Sequence, residues 1–412
     1  MSVPLGERAG GWRGAIDLAS GRLPGFVFGG GVGALVPVFH FHDERYDALE
    51  PKLRYLRENG YRTLNAQELA DVAQGRRPCT GREVALCFDD GWATVWTDAA
   101  PLLDEYGLTA IVYVIPGRVA DASAVRPQAR SDPRSRTSTH PSSSPVPDES
   151  SASKDRPSPF MTWPEVRALH TAGTIDVQSH TWMHQRVCTS PTLVDFVTPA
   201  YADRPALNRP VLTDGADGPA FLDPSDLGAP IYEHRSRMSD GRRVRVPLDV
   251  HYECVALVRA EGLDAFFAHA NWRSRLRSVV SRHTGATSIE KEADQRHAVE
   301  RELDRSRSEL NARLRTDSVR HVCLPWGVSG SVTEAALRRL GFDSAVANRW
   351  RGVFAVRPGD DPYWLKRLPN RYIQTLPGCG RRTFFSLLTT RASIASLALL
   401  VVHALARGGA SA

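Results

Sequence analysis

The chain has 412 residues, of which 42% are hydrophobic, 24% charged and 8% aromatic. This composition is typical of a folded globular protein and excludes wholesale disorder and fibrous structure. The 52 basic and 46 acidic residues leave a formal net charge of +6, but no basic run is interleaved with aromatic residues, so we expect no nucleic-acid partner. Six cysteines without a CxxC pair argue against a disulfide scaffold and a thiolate zinc site.

Neither end of the sequence predicts a membrane span. The first residues include Glu7, Arg8 and Arg13 and no long apolar run, which does not fit a signal peptide. Near the other end, Ser393–Ala406 is apolar but about four residues too short to cross a bilayer. It predicts either a docked terminal helix or a peripheral contact with a membrane surface, helped by flanking arginines. We expect a cytoplasmic protein.

Strands and helices alternate along most of the chain. In chain order, the hydrophobic pattern predicts strands at Leu35–Phe41, Val84–Phe88, Thr109–Ile115, Ile175–Gln178, His321–Leu324 and Ser344–Val346. It predicts helices at Leu49–Glu58, Glu68–Gln74, Thr94–Tyr106, Trp163–Ala172, Glu290–Leu314 and Thr333–Leu340. Repeated βα units of this kind favour an α/β fold with a parallel sheet or barrel.

Two segments interrupt this alternation. Residues 121–159 are mostly Ser, Pro, Arg and Ala, and cannot bury enough apolar surface to offset their ordering entropy, which predicts a disordered loop. Residues 189–288 lack a regular pattern and predict a long irregular insertion or cap. We therefore divide the chain into an N-terminal extension (1–34), a main domain (35–371) and a C-terminal helical tail (372–412).

Two adjacent carboxylates, Asp89 and Asp90, precede Gly91 directly after the buried strand Val84–Phe88. Chemistry in parallel α/β folds is carried at the carboxyl ends of the strands. Adjacent side chains at a strand end point to opposite sides, so one carboxylate could bind a metal while the other acts as a base. The alternative is a turn in which an aspartate caps the next helix.

A second polar motif, Ser179 to His184, follows the strand Ile175–Gln178. His180 and His184 are four residues apart and would meet on one face of a helix, a spacing that suits metal chelation. The alternative is a pair of surface or hydrogen-bonded histidines. Combined with one aspartate, the two histidines would form a facial set with positions open for water and substrate, so we predict a metal site.

The third motif, Leu324-Pro325-Trp326-Gly327, again ends a predicted strand. An aromatic ring beside a proline-fixed turn suits a wall on which a sugar stacks, and Trp92 would add a second ring. We take Pro325, Trp326, Gly327 and Trp92 as candidate substrate contacts. The alternative for Trp326 is a core residue at a turn.

In this order, the three motifs resemble those of the NodB-homology polysaccharide deacetylases, carbohydrate esterase family 4. Phe88–Gly91 matches the end of the family's TFDDG motif, and Ser179–His184 matches its histidine motif. Pro37–His42 is similar to the PVLMYH strand that opens many members, and Thr162–Val166 to the TWDEV lead-in. The charged helix before the third motif resembles that of exopolysaccharide-modifying members.

The resemblance implies a distorted (β/α) barrel, often with seven strands. It implies that Asp89 is the catalytic base and that Asp90, His180 and His184 hold a divalent metal, with Zn²⁺ the expected ion. The activity implied is metal-dependent removal of N-acetyl groups from a glycan that contains N-acetylhexosamine.

The sequence departs from the family pattern in two places. Many members have an arginine two residues before the proline of the third motif, where this chain has Cys323. The late Leu-x-His motif is represented by Leu365-Lys366-Arg367-Leu368-Pro369, which has no histidine. Arg367 could stabilise charge there, and His42 and His321 are the candidates for the missing proton donor.

Two alternative functions remain open. Related members cleave linear or cyclic amides, so the chain could be an amidase on a small non-sugar substrate. A pocket closed by residues 189–288 would favour the amidase, and an exposed groove lined by Trp92 and Trp326 would disfavour it. The second alternative is a non-catalytic glycan-binding relative, which the missing acid histidine would support.

Overall fold

The three-dimensional structure is a computed structural model, and it describes residues 21–129, 158–215, 218–283, 287–348, 352–384 and 386. The predicted tail helix at Ser393–Ala406 and residues 130–157 of the predicted loop lie outside the described residues. Within the described ranges, no helix is both long and apolar enough to cross a membrane.

Strands and short helices alternate as the sequence predicts. The strands are β1 (Val38–Phe41), β2 (Arg62–Thr63), β3 (Glu83–Phe88), β4 (Ala110–Val114), β5 (Ile175–Ser179), β6 (Arg186–Phe196), β7 (Pro210–Gly215), β8 (Gly218–Phe221), β9 (Pro230–Ser236), β10 (Val244–Arg245), β11 (Ser288–Ile289), β12 (His321–Cys323), β13 (Ser344–Val346) and β14 (Leu368–Pro369). The helices are α1 (Tyr46–Glu58), α2 (Ala66–Ala73), α3 (Ala100–Tyr106), α4 (Trp163–Ala172), α5 (Leu248–Glu261), α6 (Leu263–Ala268), α7 (Trp272–Arg282), α8 (Glu292–Leu314) and α9 (Ser331–Leu340). A π-helical turn, Val95–Ala99, leads into α3.

Seven strands form one parallel sheet in the order β13-β12-β5-β4-β3-β1-β14, and β2 pairs with the first part of β3. Every residue of β3 and β4 is buried, as expected for central strands of a parallel sheet that is covered on both faces. The sheet curls until its ends meet, because Val346 at the end of β13 pairs with Leu365, three residues before β14. The predicted distorted (β/α) barrel of about seven parallel strands is confirmed.

The N-terminal segment packs against this barrel over the part that the structure describes. Phe26 and Val27 belong to a short 3-10 helix, Gly25–Phe28, and are 0% and 1% exposed. They join the same apolar core as Leu49 and Leu53 of α1. Residues 21–34 of the predicted extension therefore contribute to the core of the main domain.

The insertion at 189–288 is regularly folded, which corrects the prediction of an irregular segment. Strands β8, β7, β6 and β9 form a separate four-stranded sheet in that order, followed by helices α5, α6 and α7. The pattern is hard to read because β6 contains Pro191 and its pairing with β9 shifts register at Leu193. Each shift moves side chains to the other face of the sheet and disrupts the alternation that identifies a strand.

The edges of the predicted disordered loop are anchored by one arginine. Arg126 donates two hydrogen bonds to the carboxylate of Glu165, at 2.7 and 2.6 Å. It also donates to the backbone oxygens of Ser158 and Phe160, each at 2.8 Å. Residues 121–129, which we predicted to be disordered, are thus tied to α4 and to the far end of the same loop.

Candidate active site

The structure brings Asp90, His180 and His184 together at the carboxyl end of the parallel sheet. Asp90 follows β3, and His180 follows β5. Oδ1 of Asp90 lies 3.3 Å from Nε2 of His180 and 3.8 Å from Nε2 of His184. Ligands about 2.0–2.1 Å from a tetrahedral ion are spaced about 3.3 Å apart, so these buried donors fit a zinc-like ion.

The two histidines meet through a loop, not through a helix as the spacing suggested. Residues 180–185 form no helix or strand. Thr181 and His184 have φ angles of 65° and 55°, in the left-handed region that non-glycine residues rarely adopt. These two residues turn the chain back so that the second ring faces the first, with ring centroids 5.0 Å apart.

The ring of His180 is oriented by a backbone carbonyl. Its Nδ1 donates to the carbonyl oxygen of Cys323 at 2.7 Å, which leaves Nε2 to face Asp90. This second hydrogen bond is the usual way in which a metal-binding histidine is fixed in one tautomer. Burial lowers the pKa of His184 to about 3, so its ring is neutral, as a ligand must be.

A second group of possible metal ligands consists of one donor atom each from Asp89, His180 and Cys323, and these atoms lie within 4.8 Å of one another. Burial raises the pKa of the Cys323 thiol above its ordinary value and keeps it protonated. A protonated thiol is a poor metal ligand, because the thiolate is the binding form. The Asp90, His180 and His184 set is therefore the better candidate for a metal site.

Backbone strain is concentrated at this site. Of the five non-glycine residues with positive φ among those described, four lie here: Asp90, Thr181, His184 and Trp326. Left-handed non-glycine residues cost on the order of 1–3 kcal/mol each and persist where the surrounding structure fixes them. Their clustering indicates that the fold holds these side chains in place at the expense of stability.

Asp89 forms an ion pair with Arg367, whereas Asp90 faces the two histidines. The guanidinium donates to both carboxylate oxygens, at 2.6 and 2.7 Å. Burial tends to raise the pKa of Asp89, but the adjacent Arg367 outweighs it and holds the pKa well below its usual range. Asp89 is therefore ionised at neutral pH, and the guanidinium of Arg367 balances its charge.

His42 lies on the outer side of Asp89. Its Nε2 is 3.7 Å from Oδ2 of Asp89, and its side chain is 53% exposed. His321, the other proton-donor candidate, begins β12 and is buried, with Nδ1 2.8 Å from Oγ of Ser344. Because it lies at the amino end of the sheet, away from the Asp89 carboxylate, His321 is excluded as a donor at this site.

Two tryptophans border the metal-site candidates, but both are held by polar contacts. The indole of Trp92 donates to Oδ2 of Asp90 at 2.9 Å and stacks on Phe160, with ring centroids 4.7 Å apart. Trp326 packs on the ring of His184 at 4.1 Å. Each ring is half-buried, so one face is already occupied. The remaining predicted contacts, Pro325 and Gly327, are buried in the turn beneath Trp326.

The insertion contributes one wall of the site, which the sequence did not reveal. Asn208 accepts a hydrogen bond at Oδ1 from the indole of Trp326, at 3.0 Å. The guanidinium of Arg186, at the start of β6, lies over the same indole, with Cζ 4.8 Å from the Trp326 ring centroid. A single asparagine in a segment without a motif gives no sequence signal, so only the fold could identify it.

Comparison with known proteins connects this site to a family. Residues 76–202 match the family model for polysaccharide deacetylases, and this range includes both aspartates and both histidines. The chain is 27% identical over 177 residues to the poly-beta-1,6-N-acetyl-D-glucosamine N-deacetylase of Escherichia coli strain K12. That alignment covers 43% of this chain and 22% of the relative, so the chain spans about a fifth of the relative's length.

Two solved structures are similar over most of the chain. The BpsB deacetylase domain of Bordetella bronchiseptica is 18% identical, covers 77% of this chain and 89% of its own, and has a TM-score of 0.44. IcaB from Ammonifex degensii is 16% identical, with coverages of 82% and 92% and a TM-score of 0.43. Over residues 76–202, which contain both polar motifs, the chain is therefore similar to the polysaccharide deacetylases.

Proposed function

We propose that the chain is a metal-dependent hydrolase that removes N-acetyl groups from a glycan containing N-acetylhexosamine. The observation that carries the proposal is the cluster of Asp90, His180 and His184 next to the ion-paired Asp89. The E. coli relative, named for deacetylation of a polymer of N-acetylglucosamine, supports the substrate class.

Asp90, His180 and His184 would hold the metal, with Zn²⁺ the expected ion because two imidazoles and one carboxylate suit it. A divalent ion bound there would polarise the acetyl carbonyl and lower the pKa of a bound water. The three residues are 2–6% exposed, so the protein shields their charges from bulk water.

Asp89 would accept the proton from the attacking water. Its ion pair with Arg367 keeps it ionised, and the same pair makes it a weak base. A weak base suffices only where the water is already acidified, which fits a position directly beside the metal ligands. Arg367 also fixes the direction in which the carboxylate points.

His42 would deliver a proton to the departing amine. Its ring lies on the solvent side of Asp89, where a substrate would enter, and is the imidazole closest to that carboxylate outside the metal set. A histidine can exchange protons near neutral pH, which the buried arginine of this site cannot. This assignment fills the role left open by the absent Leu-x-His motif.

One observation favours the amidase alternative. Trp92 and Trp326 do not form a freely exposed aromatic groove, because each ring has a polar contact and a covered face. The insertion also forms one wall through Asn208. A narrower site of this kind could accept a small linear or cyclic amide instead of a glycan chain.

The proposal is tested by measuring the metal content and the hydrolytic activity of the purified protein. Metal should be removed by chelation and Zn²⁺ restored. Acetate should be measured with N-acetylhexosamine oligomers and polymers, and the free amine or the ring-opened acid should be measured with small linear and cyclic amides. We expect zinc-dependent acetate release from the glycans, abolished in a D89N/H180A variant. Turnover of the small amides alone would support the amidase, and the absence of turnover with bound metal would support a binding protein.

A further inference from the structure

The loop that carries His184 lacks regular hydrogen bonding of its own. Residues 180–185 belong to no helix or strand, and two of them have left-handed backbone angles. A strained loop of this kind keeps its shape only if neighbouring groups hold it. Groups outside the loop must therefore place His184 next to Asp90.

One residue of α8, Glu302, binds the loop at three points. Its backbone oxygen accepts the Trp182 N–H at 3.1 Å. Its carboxylate accepts the Met183 N–H at 3.2 Å through Oε2 and the side-chain amide of Gln185 at 2.5 Å through Oε1. The two carboxylate contacts flank His184 on both sides in the sequence.

A second residue of α8 fixes the start of the loop. Oγ of Ser306, one turn after Glu302, is 2.7 Å from Oγ of Ser179, and Ser179 in turn accepts the Thr181 N–H at 3.3 Å. Residues four apart lie on one face of a helix. The same face of α8 therefore contacts the loop at its beginning and at its end.

We propose that Glu302 is a positioning residue that holds the loop so that His184 reaches the metal site. The proposal rests on the proposed function only in that the loop binds a metal. Glu302 acts on His184 indirectly, because its carboxylate binds Met183 and Gln185 and not the histidine rings. Hydrogen-bonded partners behind metal ligands typically change metal affinity about 10–100-fold when they are removed.

Glu302 is buried, and the arginines near it only partly offset the effect of that burial. Glu302 is 6% exposed. Burial raises its pKa to about 7, although the Met183 amide and the guanidinium groups of Arg237, Arg305 and Arg301 act in the opposite direction. Arg237 itself binds Glu290 through two hydrogen bonds, at 2.8 and 2.5 Å. The carboxylate oxygens of Glu302 thus accept hydrogen bonds from the loop, and only this acceptor role is needed to position His184.

The test compares E302A and E302Q with E309Q, a control on the same helix. Glu309 is half-buried and pairs with Arg313 of the same helix instead of with the loop. In the metal-free protein, hydrogen exchange of residues 180–185 should be at least about tenfold faster in E302A, since the Met183 amide loses its acceptor. Zinc affinity should fall about 10–100-fold in E302A and less in E302Q, which retains one acceptor oxygen.

The absorption spectrum of the Co²⁺-loaded protein reports the geometry at saturating metal and should change in E302A but not in E309Q. A lower melting temperature with unchanged loop exchange, zinc affinity and Co²⁺ spectrum would mean that Glu302 only packs α8, and would overturn the proposal. If E302A does not fold, the same comparison with E302Q decides. If the wild type binds no metal, the proposed function fails, while loop exchange alone still supports or refutes the positioning role.

Discussion

Arg367 donates two hydrogen bonds to Asp89, at 2.6 and 2.7 Å, although 278 residues separate them in the sequence. The two side chains are 10% and 3% exposed, so solvent screens the pair weakly. Removal of either side chain would leave the charge of the other buried and unpaired. The pair therefore affects both the chemistry and the stability of the chain.

We expect R367M to lower the free energy of unfolding by about 3–5 kcal/mol at pH 7, because it leaves Asp89 buried and uncompensated. In the wild type the pKa of Asp89 is held below its unfolded value of about 3.9, so the pair stabilises the folded state above that pH and this contribution is lost below it. In R367M burial raises that pKa, so the variant should gain stability as the pH falls.

Urea unfolding of both proteins at pH 7 and pH 5 measures this effect. The stability difference between wild type and R367M should be smaller at pH 5. R357K, at an exposed arginine that pairs with Asp360, is the control and should differ little from the wild type at either pH. An equal loss at both pH values would show that Asp89 does not change its protonation.

The two adjacent aspartates should respond differently to metal. D89N keeps the shape but removes the proton acceptor, and should lower the rate about 10²–10⁴-fold with metal still bound. D90N should weaken metal binding, because a neutral amide oxygen is a poorer ligand than a carboxylate. Activity should be assayed across a zinc titration. Excess metal should restore part of the D90N activity and none of the D89N activity, and the reverse pattern would exchange the two roles.

His42 should matter only when the leaving group needs a proton. We expect H42Q to lower N-acetyl hydrolysis about 10²–10⁴-fold and to affect an aryl acetate far less, because a phenolate leaves without protonation. H269Q is a matched control, since His269 is 56% exposed and also faces a carboxylate, Glu261. Equal losses on amide and ester would assign His42 to another role.

Removal of residues 130–157, with a short Gly/Ser linker in their place, should leave activity intact and change the melting temperature by less than about 4 °C. R126A should be more damaging, lowering the free energy of unfolding by about 1–3 kcal/mol, because the buried Glu165 loses its charged donor. Thermal unfolding of both variants separates the contributions. A larger loss from the deletion than from R126A would show that residues 130–157 pack on the barrel.

Hydrophobic periodicity and capping residues correctly predicted most of the barrel's strands and helices. The buried run of β3 and the helix Trp163–Ala172, with Pro164 in its first turn and Gly173 at its end, lie where periodicity placed them. The two polar motifs were recognised because their residues are close in sequence. The helical geometry expected for His180 and His184 was wrong, because spacing does not encode the left-handed angles at Thr181 and His184.

Long-range partners gave weaker signals. Arg367 was considered only because it replaces an expected motif, and its bond to Asp89 depends on how β14 lies beside β1. Glu302 and Asn208 reach the site from a charged helix and from the insertion, where nothing in the sequence marks them. Such contacts are set by tertiary packing, which no window of neighbouring residues records.

The pairing of Val346 with Leu365 has a consequence for synthesis of the chain. Residues 365–369 close the barrel and also carry Arg367, so the partner of Asp89 is among the last parts of the main domain to leave the ribosome. Until then the nascent sheet has open edges at β13 and β1, and Asp89 lacks its counter-ion. Formation of the Asp89–Arg367 ion pair is thereby coupled to completion of the barrel, and a chain ended before residue 365 would lack this pair however well its earlier strands had paired.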